Sequence, residues 1–167
     1  LVKEGIKTVI IGRPNVGKSS LLNALLREDK AIVTNIAGTT RDIVEGSISI
    51  DGVVLNMIDT AGIRETDDII ESMGVEKSKE LIHQADLVLL VIDGSQSLSS
   101  EDMQLLELTE DATRIIVLNK ADQGTKVDLD GIVISAKDNQ ISTLTEEIKK
   151  MFELGKIIDN NDHILTN

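Results

Sequence analysis

The sequence has 167 residues, of which 41% are hydrophobic, and its formal net charge at pH 7 is −12. It contains no cysteine, tryptophan or tyrosine and a single phenylalanine. These values predict one domain with an aliphatic core, and they exclude disulfides, thiolate metal sites and a surface on which unpaired bases stack. The acidic charge also opposes intrinsic affinity for nucleic acid, because such binding depends on Lys and Arg that neutralise phosphates.

Short β-branched runs alternate with helical patterns along the chain, which predicts a doubly wound α/β fold with helices on both faces of the sheet. We expect six strands, at Thr8–Ile11, Ser47–Ile50, Val53–Ile58, Leu87–Ile92, Ile115–Leu118 and Ile132–Ile134. We expect four helices, at Lys18–Leu26, Ile69–His83, Ser100–Leu108 and Ile141–Phe152. Asp51-Gly52 predicts a tight hairpin turn, so the second strand should be antiparallel in a mostly parallel sheet. The strands from the third onward are apolar, as expected where both faces are covered.

The first strand leads into a loop of the form G-x-x-x-x-G-K-[ST], at Gly12–Ser19, which a helical pattern follows. In this setting backbone N–H groups converge on phosphate oxygens at the helix N-terminus. Lys18 is expected to reach the β- and γ-phosphates, and the Ser19 hydroxyl is expected to ligate Mg²⁺. A glycine-rich turn followed by a lysine is the plain alternative, but the flanking strand and helix favour a nucleoside triphosphate site. The expected nucleotide contacts in this loop are Asn15, Val16, Gly17, Lys18, Ser19 and Ser20.

Two loops beside the predicted hairpin supply further candidate ligands for the metal and the γ-phosphate. Gly38–Asp42 precedes the second strand, and a threonine hydroxyl in this loop can complete a Mg²⁺ shell. The D-x-x-G pattern follows the third strand, where Asp59 would hold Mg²⁺ through water and the Gly62 N–H would meet the γ-phosphate. Taken alone, Gly38–Asp42 would be interpreted as a polar surface loop. Only its place in the order of motifs gives it a nucleotide role.

The segment after the fifth strand has the N-K-x-D pattern, with Asn119, Lys120 and Asp122. Guanine presents two adjacent donors, N1–H and the 2-amino group, which one carboxylate can accept in parallel. Adenine lacks that pair and would leave Asp122 without a partner. The Lys120 stem can cover the base, and Asn119 can bridge the base to the phosphate loop. Ser135, Ala136 and Lys137 form an S-A-K segment, in which the Ala136 N–H can serve guanine O6.

The five motifs follow one another as phosphate loop, threonine loop, D-x-x-G, N-K-x-D and S-A-K. This order is typical of Ras-like P-loop GTPases, with ligands at the carboxyl ends of the strands. The sequence therefore predicts an enzyme that binds GTP and hydrolyses it to GDP and phosphate.

Three longer segments resemble a single family within the Era-like GTPases. They are Gly12–Leu25, Ala31–Asp42 and Asp59–Glu71, and together they look like the G domain of the bacterial MnmE (TrmE) family of tRNA modification GTPases. The sequence has no cysteine, no apolar stretch long enough to cross a membrane and no signal peptide, so we expect a soluble cytoplasmic protein. The resemblance implies a folate-binding domain and a helical domain that holds the G domain. It also implies an FAD-dependent partner, MnmG, with which the family modifies the C5 position of the wobble uridine in tRNA.

We accordingly expect residues 1–167 to be a single G domain with a core of about residues 5–152. Residues 1–4 and 153–167 are then expected to be stubs of the flanking helical domain. The nearest alternative is a ribosome-assembly GTPase of the Der or Era type, but the acidic Glu65–Glu71 stretch fits the MnmE family better. A GTP-binding scaffold with little hydrolysis is an alternative from a different class.

The residue after D-x-x-G is Ile63, which cannot orient the attacking water as the glutamine of many Ras-like enzymes does. Resemblance to the MnmE family singles out Glu71 for this catalytic role, acting through a second water. Asp68-x-x-Glu71 also fits the start of a helix, so Glu71 has a purely structural alternative as part of a helix cap.

Hydrolysis also requires a positive charge near the bridge between the β- and γ-phosphates. The resemblance implies K⁺ there, bound by the Asn15 side chain and by the carbonyls of Thr34, Ile36 and Thr39, with Thr40 left for Mg²⁺. Oxygen dipoles of this kind suit a weakly hydrated monovalent cation. Family behaviour further implies a homodimer formed through facing G domains in the triphosphate state. The alternatives are arginine fingers at Arg13, Arg41 or Arg64.

Overall fold

The computed structural model describes residues 5–28, 46–59 and 75–152. Six strands are present in chain order, β1 Ile6–Ile11, β2 Ser47–Ile50, β3 Val53–Met57, β4 Leu87–Asp93, β5 Arg114–Asn119 and β6 Ile132–Val133. The helices are α1 Lys18–Glu28, α2 Val75–Gln84, α3 Ser100–Leu108 and α4 at residues 142–152, with a short 3₁₀-helix at Ala121–Gln123. Each predicted strand is found to within two residues at either end. Residues 69–74 of the predicted second helix lie outside the described part of the chain.

The strands form one sheet in the order β2-β3-β1-β4-β5-β6. Only the β2–β3 pair is antiparallel. Asp51 and Gly52, with φ of 49° and 90°, form the turn between these two strands. Positive φ at both positions is characteristic of the type I′ turn that matches the twist of a hairpin. The six-stranded, mostly parallel sheet and its hairpin are confirmed.

Two apolar clusters cover the two faces of the sheet, because alternate residues of each strand point to opposite sides. On one side, Ile10 and Leu89 share a cluster with Leu21 of α1 and Leu144 of α4. On the other, the cluster contains Val9, Ile11, Val88 and Leu90 from the sheet, Leu81 from α2 and Leu105 from α3. The predicted arrangement of helices on both faces is therefore confirmed.

Two strands differ from the expectation that the strands from the third onward are covered on both faces. All seven residues of β4 are buried, as expected. In β3, however, buried and half-buried residues alternate, and the polar side chain of Asn56 accepts a hydrogen bond from Ser47 Oγ at 2.8 Å. In β6, at the sheet edge, Val133 is 44% exposed. An apolar run therefore does not by itself establish burial, and the edge position of β6 accounts for the exposure of Val133.

The parallel strands all end on the same side of the sheet, and the candidate site lies at these carboxyl ends. The register of β4 and β5 sets Asp93 beside Asn119. β1 ends next to β4, so the loop that follows β1 starts at the same edge. Within the described ranges, no helix is long and apolar enough to cross a membrane.

Candidate nucleotide site

The loop between β1 and α1 has a backbone suited to binding an anion. Asn15 and Gly17 have positive φ values of 70° and 101°, on either side of Val16. Alternation between right- and left-handed backbone turns successive N–H groups toward one side, which forms an anion-binding concavity. A Cβ on Gly17 would collide with Nδ2 of Asn119, so both the backbone and the space require glycine here.

Lys18 belongs to the first turn of α1, and its side chain folds back over the loop. Its ammonium donates to the carbonyls of Gly12 and Arg13, at 2.8 and 2.9 Å, and the residue is only 4% exposed. These bonds hold the positive charge against the loop instead of leaving it in solvent. Ser19 is half-buried and Ser20 is exposed in the same turn.

Asn119 joins the phosphate loop to the S-A-K segment. Its Nδ2 donates to the Val16 carbonyl at 2.9 Å, and its Oδ1 accepts from the Ala136 N–H at 3.0 Å. The residue is 3% exposed, so both bonds are shielded from water. The contact with the phosphate loop agrees with expectation. The Ala136 N–H, assigned to guanine O6 from the sequence, is donated to Asn119 in this structure.

Lys120, the next residue, crosses to the phosphate loop. It has a left-handed backbone with φ 69°, and its ammonium donates to the Asn15 carbonyl at 2.7 Å. Sequence reasoning gave Lys120 only a contact with the base and missed both this bond and an ion pair with Asp93, at 3.6 Å. The sequence does contain one signal for the ion pair, since an apolar strand ends in Asp93-Gly94-Ser95.

The hydroxyl of Ser135, in the S-A-K segment, contacts Asp122. Ser135 Oγ lies 3.0 Å from Asp122 Oδ1 and 3.0 Å from Asp138 Oδ2. Since a hydroxyl has one proton, it donates to one of the two carboxylates at a time. Ser135 and Ala136 are buried, whereas Asp122 and Lys137 are exposed. The Asp122 carboxylate can therefore accept donors from a base.

Arg13 is tied to the start of α3. Its Nε donates to Asp102 Oδ2 at 3.2 Å, and one terminal nitrogen donates to Gln96 Oε1 at 3.3 Å. Asp102 also closes a capping box with Ser99, and it is 1% exposed. Arg13 is one of the candidate arginine fingers. In the structure its guanidinium is bonded to Asp102 at the start of α3 and to Gln96, which supports a structural role for this side chain.

Arg13→Ala should lower the free energy of unfolding by about 1–3 kcal/mol, because it removes the partner of a buried carboxylate. GTP turnover at saturation should stay close to wild type, whereas loss of an arginine finger would reduce it about 10³-fold or more. Urea unfolding and single-turnover hydrolysis on one preparation measure the two effects. Arg27→Ala, at an exposed position of α1, is the matched control. A large loss of turnover in a stable Arg13→Ala protein would contradict this role.

Two of the candidate Mg²⁺ ligands lie in the described part of the chain. Asp59 follows β3 with φ 60° and is half-buried, and Ser19 is half-buried in α1. Within the described residues neither side chain makes a hydrogen bond or ion pair, so both oxygen groups can take a hard cation. No cluster of three or more His, Cys, Asp or Glu residues that could hold a metal ion occurs within residues 5–28, 46–59 and 75–152.

Several sequence-predicted site residues fall outside the described residues. They are the threonine-loop residues, the γ-phosphate glycine, the candidate water-positioning carboxylate and two of the arginines, namely Thr34, Ile36, Thr39, Thr40, Gly62, Glu71, Arg41 and Arg64.

Comparison with known proteins gives a consistent result. The family described as "50S ribosome-binding GTPase" matches residues 7–120. The tRNA modification GTPase MnmE of Streptococcus gordonii is 54% identical to this chain, and that of Lactococcus lactis subsp. cremoris is 53% identical. Both alignments cover 100% of this chain, which spans 38% of the length of each relative.

Among solved structures, the translation elongation factor SelB of Methanococcus maripaludis, in complex with a GTP analogue, has a TM-score of 0.61 at 14% identity. The match covers 92% of this chain and 35% of SelB, and at this identity it supports the fold alone. The chain therefore belongs to the GTPase family that matches residues 7–120, and its similarity to MnmE extends over its whole length.

Proposed function

We propose that this chain is the G domain of an MnmE-type enzyme, in which GTP hydrolysis serves modification of the wobble uridine of tRNA at C5. The observation that carries the proposal is the Asn119 side chain, which bonds both the phosphate loop and the S-A-K segment. That contact joins the sequence motifs for phosphate and guanine into one site. The relatives matched over the whole chain are tRNA modification enzymes, and a net charge of −12 opposes direct binding to ribosomal RNA.

The domain would act as part of a longer protein, as the 38% coverage of its relatives supports. We take residues 1–167 as one G domain with a core of about residues 5–152, and the two ends as parts of a flanking helical domain. The tRNA and an FAD-dependent partner of the MnmG type would then bind outside this domain.

Guanine recognition would use the exposed carboxylate of Asp122 for N1–H and the 2-amino group, with the Lys120 stem against the base. Ser135 would hold Asp122 in place through its hydroxyl. Guanine O6 would have to share the Ala136 N–H with Asn119, or displace that bond.

Phosphate binding would use the backbone N–H groups of residues 15–19 and the Lys18 ammonium. The Ser19 hydroxyl, Asp59 and Thr40 are the groups that would hold Mg²⁺, and the ion would supply positive charge that offsets the charge of the phosphates. The half-buried Ser19 and Asp59 fit this role because their side-chain oxygens make no hydrogen bond within the part of the chain that the structure describes.

The K⁺ assignment draws support from Asn15. Its main-chain carbonyl is taken by Lys120, but its exposed side-chain amide makes no bond in the described structure. An amide oxygen together with the carbonyls of Thr34, Ile36 and Thr39 would form a neutral oxygen site.

GTP turnover is expected to be higher in KCl than in NaCl at matched ionic strength, and to rise per molecule with protein concentration if G domains pair. Asn15→Gly should abolish the K⁺ advantage. Glycine is chosen because the φ of 70° would strain alanine, so the loop keeps its shape. Equal turnover in the two salts at every concentration would contradict the proposal, and Arg41 and Arg64 would then be the better candidates.

A further inference from the structure

Asp93 is a buried charged residue that the motifs described above leave without a function. It ends β4, is 4% exposed, and lies in register with Asn119 of the neighbouring strand. A carboxylate is almost never buried to this degree unless it is paired. Its partners therefore indicate what it does.

One carboxylate oxygen of Asp93 is held locally. Oδ1 accepts the Ser95 N–H at 2.9 Å and the Ser95 hydroxyl at 2.5 Å. Burial pushes the pKa of Asp93 upward, but the bonds from Ser95 and the charge of Lys120 outweigh it, so the pKa lies below the ordinary value of 3.8. Asp93 is thus an anion at neutral pH, with fixed orientation.

The other oxygen faces Lys120. Asp93 Oδ2 lies 3.6 Å from the Lys120 ammonium, which in turn donates to the Asn15 carbonyl at 2.7 Å. Lys120 and Asn15 both have left-handed backbones, with φ of 69° and 70°. A continuous series of contacts therefore runs from Ser95 through Asp93 and Lys120 to the phosphate loop.

We propose that Asp93 is a positioning residue for guanine nucleotide binding, which fixes the Lys120 ammonium against the phosphate loop so that the Lys120 stem is ordered before a base arrives. The inference rests on the proposed function of Lys120 as the cover of the base. A lysine side chain has many rotamers, and a stem that is already ordered loses less conformational entropy on binding. Asp93 touches neither base nor phosphate in this arrangement, so it should affect affinity and not the chemical step.

Asp93→Asn removes the charge and keeps the shape, since the amide oxygen can still accept both bonds from Ser95. We expect the Kd values for GTP and for GDP to rise together by about 10-fold, the scale of coupling between contacting charged groups. Turnover at saturating GTP should be unchanged. Asp111→Asn, at an exposed position in the turn after α3, is the matched control and should bind as wild type does.

A double-mutant cycle with Lys120→Met decides whether Asp93 acts through Lys120. In the Lys120→Met background, Asp93→Asn should cause no further loss of GDP affinity. An equal loss in both backgrounds would overturn the proposal, because Asp93 would then act on the fold in general.

Ser95→Ala covers the case in which Asp93→Asn does not fold, since it removes the hydroxyl bond to Asp93 Oδ1 but keeps the backbone bond and the charge. A smaller rise in both Kd values is expected, and wild-type affinity in every folded variant would overturn the proposal. Wild-type protein that fails to bind GTP would instead disprove the proposed function. If the wild-type protein binds GTP and the Asp93→Asn variant binds it with the same Kd, only the role of Asp93 is disproved.

Discussion

Asp122→Asn is expected to lose GTP binding by about 10²-fold or more and to gain affinity for xanthosine triphosphate. The carboxylate would accept from both N1–H and the 2-amino group of guanine, whereas the amide would present a donor to one of them. In xanthine, a 2-oxo acceptor replaces the amino group, so the same amide finds a partner. Because Asp122 is exposed, the substitution should change the fold little. Competition binding with the two triphosphates measures the change in preference.

Asp138→Asn is the natural control for this experiment. Both carboxylates lie 3.0 Å from the same Ser135 hydroxyl, but only Asp122 belongs to the N-K-x-D motif. The Asp138 variant should keep its preference for GTP. If Asp122→Asn keeps that preference as well, Asp122 does not read the base.

The phosphate and guanine motifs could be found from the sequence because each is a short run with fixed spacing. Glycine at position 17 is one example, since φ is 101° there and Asn119 fills the space that a Cβ would need. The sheet was equally accessible, because alternation of strands and helices leaves few topologies and Asp51-Gly52 marks the antiparallel pair.

The supporting contacts could not be found in this way, because they join residues that are distant in the chain. Asp93 meets Lys120 only through the register of β4 and β5, and Asp102 meets Arg13 across 89 positions. The sequence around each of these residues indicates only a turn or a helix cap. Burial is equally non-local, which explains why the apolar Val133 is exposed at the sheet edge.

Glu71→Ala is expected to slow the chemical step about 10²-fold or more, the scale of a lost general-base contribution, while GTP affinity and K⁺-dependent pairing stay largely intact. Glu71 lies outside the described residues, so the proposal rests on the family resemblance and on Ile63, whose side chain cannot orient water. A carboxylate next to a triphosphate is repelled, which favours action through a second water.

A helix cap would produce a different result from the same substitution. Loss of a cap should lower stability by about 1 kcal/mol and leave saturated turnover nearly unchanged. Single-turnover hydrolysis and thermal melting on one preparation separate the two roles. Glu76→Ala, at an exposed position in the first turn of α2, is the control for removing a nearby carboxylate.

Glu71→Gln refines the test, because it keeps a hydrogen-bonding side chain of the same length without the basic carboxylate. If Glu71→Gln hydrolyses GTP slowly but has a normal melting temperature, the carboxylate charge is needed for the chemical step. Wild-type turnover in a less stable Glu71→Ala protein would rule out catalysis by Glu71.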